Sequence, residues 1–324
     1  MRALITGVNG FAGSHLAEYL LAHTDLEVWG TDISSNDRNI AHIRDDLELV
    51  VGDMSDPDVA SDILSQTQPD YIFHLAAQAF VPLSWSDPWQ TIANNIRLQL
   101  NILKTLVDTG SRPRVLVVGS ADEYGVIAAD ELPVTEATPL RPYSPYAVSK
   151  IAQDMLGYQY FASHGLPIVR VRPFNHIGAR QSPAFVTSDF AKQIAEIEQG
   201  QREAELHVGN LEARRDFTDV RDMVKAYYLA LQHGEAGKVY NLGSERAQSI
   251  REVLYMLLEM SEAEIEVVQE PARLRPTDVP VVVSDCSKFR ERTGWHATVS
   301  LRDSLESVLK YWRERVREHR EGQE

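Results

Sequence analysis

The chain has 324 residues, room for one large or two modest domains around a buried core, and its 44% apolar content excludes a fibrous or disordered protein. Its 32 Lys and Arg against 47 Asp and Glu leave a net charge of −15, which argues against a nucleic-acid binder, whose affinity needs a basic face. The imbalance is uneven: residues 1–172 hold 11 basic and 21 acidic side chains, residues 173–324 hold 21 and 26. Cys286 is the one cysteine, so an intrachain disulfide and a cysteine-built metal cluster are excluded, and a reducing, cytoplasmic setting is expected. The opening MRALITGVNG has an apolar run too short for a signal-peptide core, and no apolar stretch of ~20 residues follows, so no membrane association is expected.

In chain order, β-rich runs at Ala3–Thr6, Glu27–Thr31, Leu47–Val51, Tyr71–Leu75, Val115–Ser120 and Ile168–Arg172 alternate with helical patterns at Phe11–His23, Val59–Gln66, Thr91–Thr109 and Tyr146–Ser163. This alternation predicts βαβ units and an α/β fold with a doubly wound parallel Rossmann sheet. Ser144 as N-cap, Pro145 at the first helical position and Gly165 beyond the end delimit the last of these helices. After Arg172 the rhythm loosens. Helices at Ser188–Gln199, Val220–Gln232, Ser249–Met260 and Leu301–Arg315, among short strands and Pro-containing loops, predict a smaller α/β unit closing over the carboxyl edge of the sheet. The expected division is a dinucleotide-binding domain at 1–172 and a substrate domain at 173–324, with part of 216–245 returning to the first. The tail Arg313–Glu324 mixes both charge signs and is expected to be a solvated helix end.

Gly7, Gly10 and Gly13 join the first run to the first helix. Gly7 suits a tight turn, Gly10 a close approach of pyrophosphate to the backbone, and Gly13 close packing of helix on strand, with the free N–H groups of the helix start facing the anion. Asp32 follows the second run, where a carboxylate accepts the adenosine ribose hydroxyls and repels a 2′-phosphate. NAD(H) is therefore the preferred cofactor, and Arg38, six residues on, leaves NADP(H) possible. Asp53 reads as an adenine contact or a turn cap. Leu75, Ala76 and Ala77 read as the cofactor's path or as packing at a helix start.

Tyr146 and Lys150, spaced i, i+4, share a helix face, where an ammonium lowers the pKa of a tyrosine. Ser120 closes the fifth run on the ligand-binding edge and can hydrogen-bond a substrate oxygen beside Tyr146. HExxH, P-loop and GxSxG motifs are absent, and the 10 histidines show no metal-ligand spacing, so no metal is expected. His74 and His176 are read as structural.

The glycine pattern, HLAAQ at His74–Gln78, GSADEYG with Ser120 ahead of Tyr124, and SPYAVSK with Tyr146 and Lys150 together resemble the extended short-chain dehydrogenase/reductase family along nearly the whole chain. Within it, RPFNHIG at Arg172–Gly178, FVTSDFAKQI at Phe185–Ile194, VGNLEARRDFTDVRD at Val208–Asp222 and LRPTDVP at Leu274–Pro280 are similar to nucleotide-sugar enzymes acting on GDP-mannose derivatives. The resemblance implies hydride transfer from a nicotinamide to C4 of a GDP-4-keto-6-deoxyhexose, with Tyr146 as acid, Lys150 at the nicotinamide ribose and Ser120 on the carbonyl. It also implies cofactor contacts at Asn9, Phe11, Met54, Asn95 and Pro173, and substrate contacts at Ser84, Asp122, Asn175, Lys192, Val208, Arg215, Arg275 and Asp278. In the sister 4,6-dehydratases a glutamate two residues before the tyrosine of the xxYG segment removes the C5 proton. Asp122, one methylene shorter, stands there in this chain, which favours the reductase. Dehydratase or epimerase chemistry, and a non-catalytic dinucleotide sensor, are the alternatives. Apolar residues on two sides of helices 91–109 and 146–163, such as Ile92, Leu98, Val148 and Met155, imply a sheet on one side and a partner subunit on the other, in a homodimer.

Overall fold

The computed structural model describes residues 1–273 and 279–321. Its first half runs β1 (Arg2–Thr6), α1 (Phe11–His23), β2 (Glu27–Asp32), β3 (Glu48–Val51), α2 (Pro57–Thr67), β4 (Tyr71–His74), α3 (Val81–Ser86), α4 (Pro88–Thr109), β5 (Arg114–Val118) and α5 (Pro145–His164). The second half continues with β6 (Ile168–Pro173), β7 (Asn175–Ile177), α6 (Val186–Glu198), β8 (Glu205–Val208), β9 (Arg214–Asp219), α7 (Val220–His233) and β10 (Val239–Leu242). It ends with β11 (Ala247–Ser249), α8 (Ile250–Leu258), β12 (Glu266–Gln269), α9 (Ser287–Thr293) and α10 (Leu301–Glu321).

Seven strands form one parallel sheet in the order β10-β6-β5-β4-β1-β2-β3. Alternation along β1 sends Ala3 and Ile5 into a core with α1 and α7, and Leu4 into a core on the other face with α2 and α4. The order reverses at β1, which has β4 on one side and β2 on the other. The crevice at the carboxyl ends of β1 and β4 is where ligands of such sheets lie. A separate apolar core joins α6, α8 and α10 to β8 and β9, beside the small sheets β11-β9-β7 and β12-β8.

Several boundaries differ from the sequence reading for local chemical reasons. The helices expected at Val59 and Thr91 start at Pro57 and Pro88, because Asp56 accepts from the Asp58 and Val59 amides and Asp87 from that of Gln90, each cap being followed by a proline. The fifth strand stops at Val118, and Ser120 lies beyond it as the cap of a single 3-10 turn at Ala121–Glu123. The last helix runs to Glu321 rather than Arg315. Its tail is partly docked: Arg313 holds both oxygens of Glu198 at 2.7 Å and the Met260 carbonyl at 2.8 Å.

The largest departure is in α5. Its buried side carries Tyr146, Ser149, Lys150, Gln153 and Asp154, while Val148 and Met155 remain 44% and 41% exposed. Polar side chains, not an apolar stripe, face the sheet.

Candidate active site

At one end of the crevice is the turn after β1. Gly7 adopts φ +74°, and a Cβ there would stand 3.0 Å from the Ala76 backbone. A Cβ on Gly13 would come within 2.2 Å of the Gly7 carbonyl oxygen, so both glycines are required by space. Gly10 caps α1 without a side-chain hydrogen bond, leaving the amides at the helix start to the crevice. Asp32 receives the Asn9 amide at 3.1 Å and the Ser34 amide at 3.3 Å. The Asn9 side-chain oxygen is buried without a partner. A glycine-lined cradle, an orphan acceptor and a carboxylate at the end of β2 fit a dinucleotide. Arg38 instead reaches toward Glu318 at 3.4 Å.

Thr6 links this turn to α5. Its hydroxyl oxygen accepts the Leu75 and Ala76 amides at 3.1 Å each, so its proton goes to His74 Nδ1, 2.9 Å away. That assigns the His74 proton to Nε2. The Gln153 amide lies 3.5 Å from Nε2, and its oxygen, otherwise buried without a partner, is the atom that belongs there. Burial and then the Lys150 charge push the His74 pKa down to about 3, so the ring is neutral and structural.

At the other end, Tyr146 and Lys150 rise from α5 beside Ser120. Tyr146 is 8% exposed and within hydrogen-bonding reach of the Ser120 side chain. Its pKa is raised rather than lowered as the i, i+4 spacing predicted: burial acts first, then the Asp122 charge. The Lys150 ammonium donates to the Val118 carbonyl at 2.8 Å. Burial brings the Lys150 pKa down to about 8. Ser120 is fixed by its own turn, its hydroxyl oxygen accepting the Asp122 amide at 3.1 Å.

The other expected contacts divide. Phe11 is half-buried at the turn and stacks on His176 at 5.7 Å; Asn175 is exposed next to that ring. Pro173 ends β6. Asp53 is exposed, and its carboxylate accepts the Ser55 amide at 2.9 Å, the turn-cap reading. Asn95 is fully buried and its amide is engaged with both backbone groups of Gln78 and with Ser149, so it braces the loop after β4. Met54 and Val208 are buried in apolar cores. Ser84 is buried inside α3 with its hydroxyl on the Val81 carbonyl at 2.7 Å. Lys192 pairs with Glu196 one turn along α6. Arg215 donates to the Val279 carbonyl at 2.7 Å, next to the segment 274–278. Arg275 and Asp278 lie outside the described residues.

Sequence reasoning missed the buried charges under Ser120. Glu123, Asp154, Arg170 and Arg172 are each 7% exposed or less. Tyr124 joins them by accepting from Arg172 at 3.1 Å and donating to Asn241 at 2.6 Å. Their one sequence signal is the placement of Arg170 and Arg172 in a strand that is buried throughout, where an unpaired charge is not tolerated. Among the described residues no His, Cys, Asp and Glu group could hold a metal ion, and no helix is long and apolar enough to cross a membrane.

The profile of the family described as GDP-mannose 4,6 dehydratase matches residues 4–308. GDP-6-deoxy-D-mannose reductase of Pseudomonas aeruginosa is 38% identical over 318 residues, covering 98% of this chain and 99% of the relative. GDP-mannose 4,6-dehydratase of Sinorhizobium fredii is 31% identical, covering 93% of each chain. Among solved structures, RMD from Pseudomonas aeruginosa complexed with NADPH superposes with a TM-score of 0.86 at 35% identity, covering 97% of this chain and 99% of that one.

Proposed function

Given that the chain belongs to the GDP-mannose 4,6-dehydratase family of extended short-chain dehydrogenases/reductases, we propose that it reduces the 4-keto group of GDP-4-keto-6-deoxy-D-mannose to GDP-D-rhamnose, as a GDP-6-deoxy-D-mannose reductase. One observation carries the direction of the chemistry: burial keeps Tyr146 protonated beside Ser120, which suits a proton donor rather than a base. The substrate is taken from the reductase relative that matches from end to end.

A bound nicotinamide dinucleotide supplies the hydride. Tyr146 gives its proton to the oxygen developing negative charge at C4. The Ser120 hydroxyl donates to the same oxygen and holds the carbonyl in place. Lys150, seated on the Val118 carbonyl, presents its ammonium to the nicotinamide ribose until its proton is lost near pH 8. Asp32 selects NAD(H) at the adenosine ribose. NADPH, which the Pseudomonas structure holds, requires Arg38 to leave Glu318. Residues 1–172, with part of 216–245 returning to them, serve the dinucleotide; Asn175 and Arg215 in the remainder meet the GDP-sugar. A second copy covers Val148 and Met155 on the outer side of α5, making a homodimer.

Two incubations test the reading. With GDP-4-keto-6-deoxy-D-mannose and NADH, one NADH should be oxidised per keto-sugar. With GDP-mannose and no added reductant, no 4-keto product should form. A keto product in the second and no NADH oxidation in the first would make the protein a 4,6-dehydratase, the activity of the Sinorhizobium relative. NADH binding without turnover in either would make it a sensor.

A further inference from the structure

Glu123 stands three residues after Ser120 and is fully buried, so it meets no ligand. Its carboxyl turns back along the chain. Oε1 accepts the Ser120 amide at 2.8 Å, and Oε2 lies 3.0 Å from Arg172 Nε. The space for it is made by Gly119, where a Cβ would stand 2.2 Å from Glu123 Oε1. Arg172 also donates through Nε to Asp154 at 3.0 Å, and Arg170 holds the other oxygen of Asp154 at 2.7 Å. Asp154 follows Lys150 by one helical turn and Tyr146 by two, on one face of α5. The guanidinium of Arg172 thus ties the loop carrying Ser120 to the helix carrying Tyr146.

Buried ion pairs are seldom more stabilising than apolar side chains of similar volume, so stability alone is a weak account of these groups. Resting on the reading of Ser120 and Tyr146 as the reacting pair, we propose that Glu123 is a positioning residue: through the Ser120 amide and Arg172 it sets the separation between the Ser120 hydroxyl and the Tyr146 phenol. Oε2 has no hydrogen-bond partner of its own. Burial, and next the Asp154 charge, raise the carboxyl pKa, so Glu123 acts as a neutral acid with Asp154 as acceptor. Glutamine reproduces that arrangement, with an oxygen for the Ser120 amide and an N–H for Asp154. Leucine does not.

The experiment compares Glu123→Gln and Glu123→Leu in NADH oxidation with GDP-4-keto-6-deoxy-D-mannose, with NADH binding followed by fluorescence on the same samples. A misplacement of ~1 Å at a reacting pair costs ~10²-fold. Glu123→Leu should therefore lower kcat by about 10- to 100-fold while the NADH affinity stays within about twofold, and Glu123→Gln should restore kcat to within about threefold of wild type. If Glu123→Leu does not fold, Gly119→Ala, which displaces the same carboxyl without deleting it, must show the same split. Wild-type kcat in the folded variant, or a glutamine variant as slow as the leucine one, overturns the proposal. An inactive wild type overturns the functional reading instead.

Discussion

The two ends of the crevice are built by opposite means. The turn at Gly7–Gly13 is made of backbone and absent side chains, and its tolerances are set by the 2.2 Å between a Gly13 Cβ and the Gly7 oxygen. The floor under Ser120 is made of side chains from the 121–123 turn, α5 and β6, each charge held by another. One end fails when an atom is added, the other when one is removed. In the proposed reading the difference also separates binding from chemistry: the turn would meet a diphosphate through its amides, and the floor would set the geometry around Tyr146.

Gly13→Ala should give the largest effect at the turn. Forcing a methyl against the Gly7 carbonyl costs about 1–3 kcal/mol of overpacking, or roughly 5- to 150-fold in NADH affinity, with turnover at saturating NADH largely kept. Fluorescence titration of NADH checks it, and an unchanged dissociation constant would place the diphosphate elsewhere.

A smaller effect distinguishes the floor through pH. The Glu123 carboxyl is raised by burial, so above its ordinary 4.5 the unfolded chain releases a proton that the fold retains. Its contribution to stability is present at low pH and is lost as pH rises through the folded value. Lys150, lowered from 10.5 to about 8 by burial, works the other way: between these values the unfolded chain keeps a proton that the fold has released, so stability rises. In thermal unfolding between pH 5 and 10, Glu123→Gln should gain a few degrees on wild type from the acid side upward. Lys150→Met should lose its advantage above pH 8. Curves parallel to wild type at every pH would mean that neither group changes protonation on folding.

The same contrast explains what could be read from the sequence. The turn is local: Gly7, Gly10, Gly13 and Asp32 lie within one βαβ unit, where their spacing and their place between strand and helix identify them. So do Ser120, Tyr146 and Lys150, whose motifs resemble a known family. The floor is not local. Tyr124 and Asn241 are 117 positions apart, and nothing near Glu123 marks it as buried, since glutamate is ordinarily a surface residue. For the same reason the inner side of α5 is polar where an apolar one is expected, Gln153 and Asp154 being buried while Val148 and Met155 stay on the outer side. Asn95 belongs with these: its amide is engaged 17 residues back, at Gln78, and 54 residues on, at Ser149.

The separation of binding from chemistry is tested most directly by Tyr146→Phe, with NADH affinity and keto-sugar turnover measured on one preparation. Turnover should fall by about 10²- to 10⁴-fold while NADH affinity stays within about twofold. Turnover close to wild type, or an equal loss of NADH binding, would contradict it.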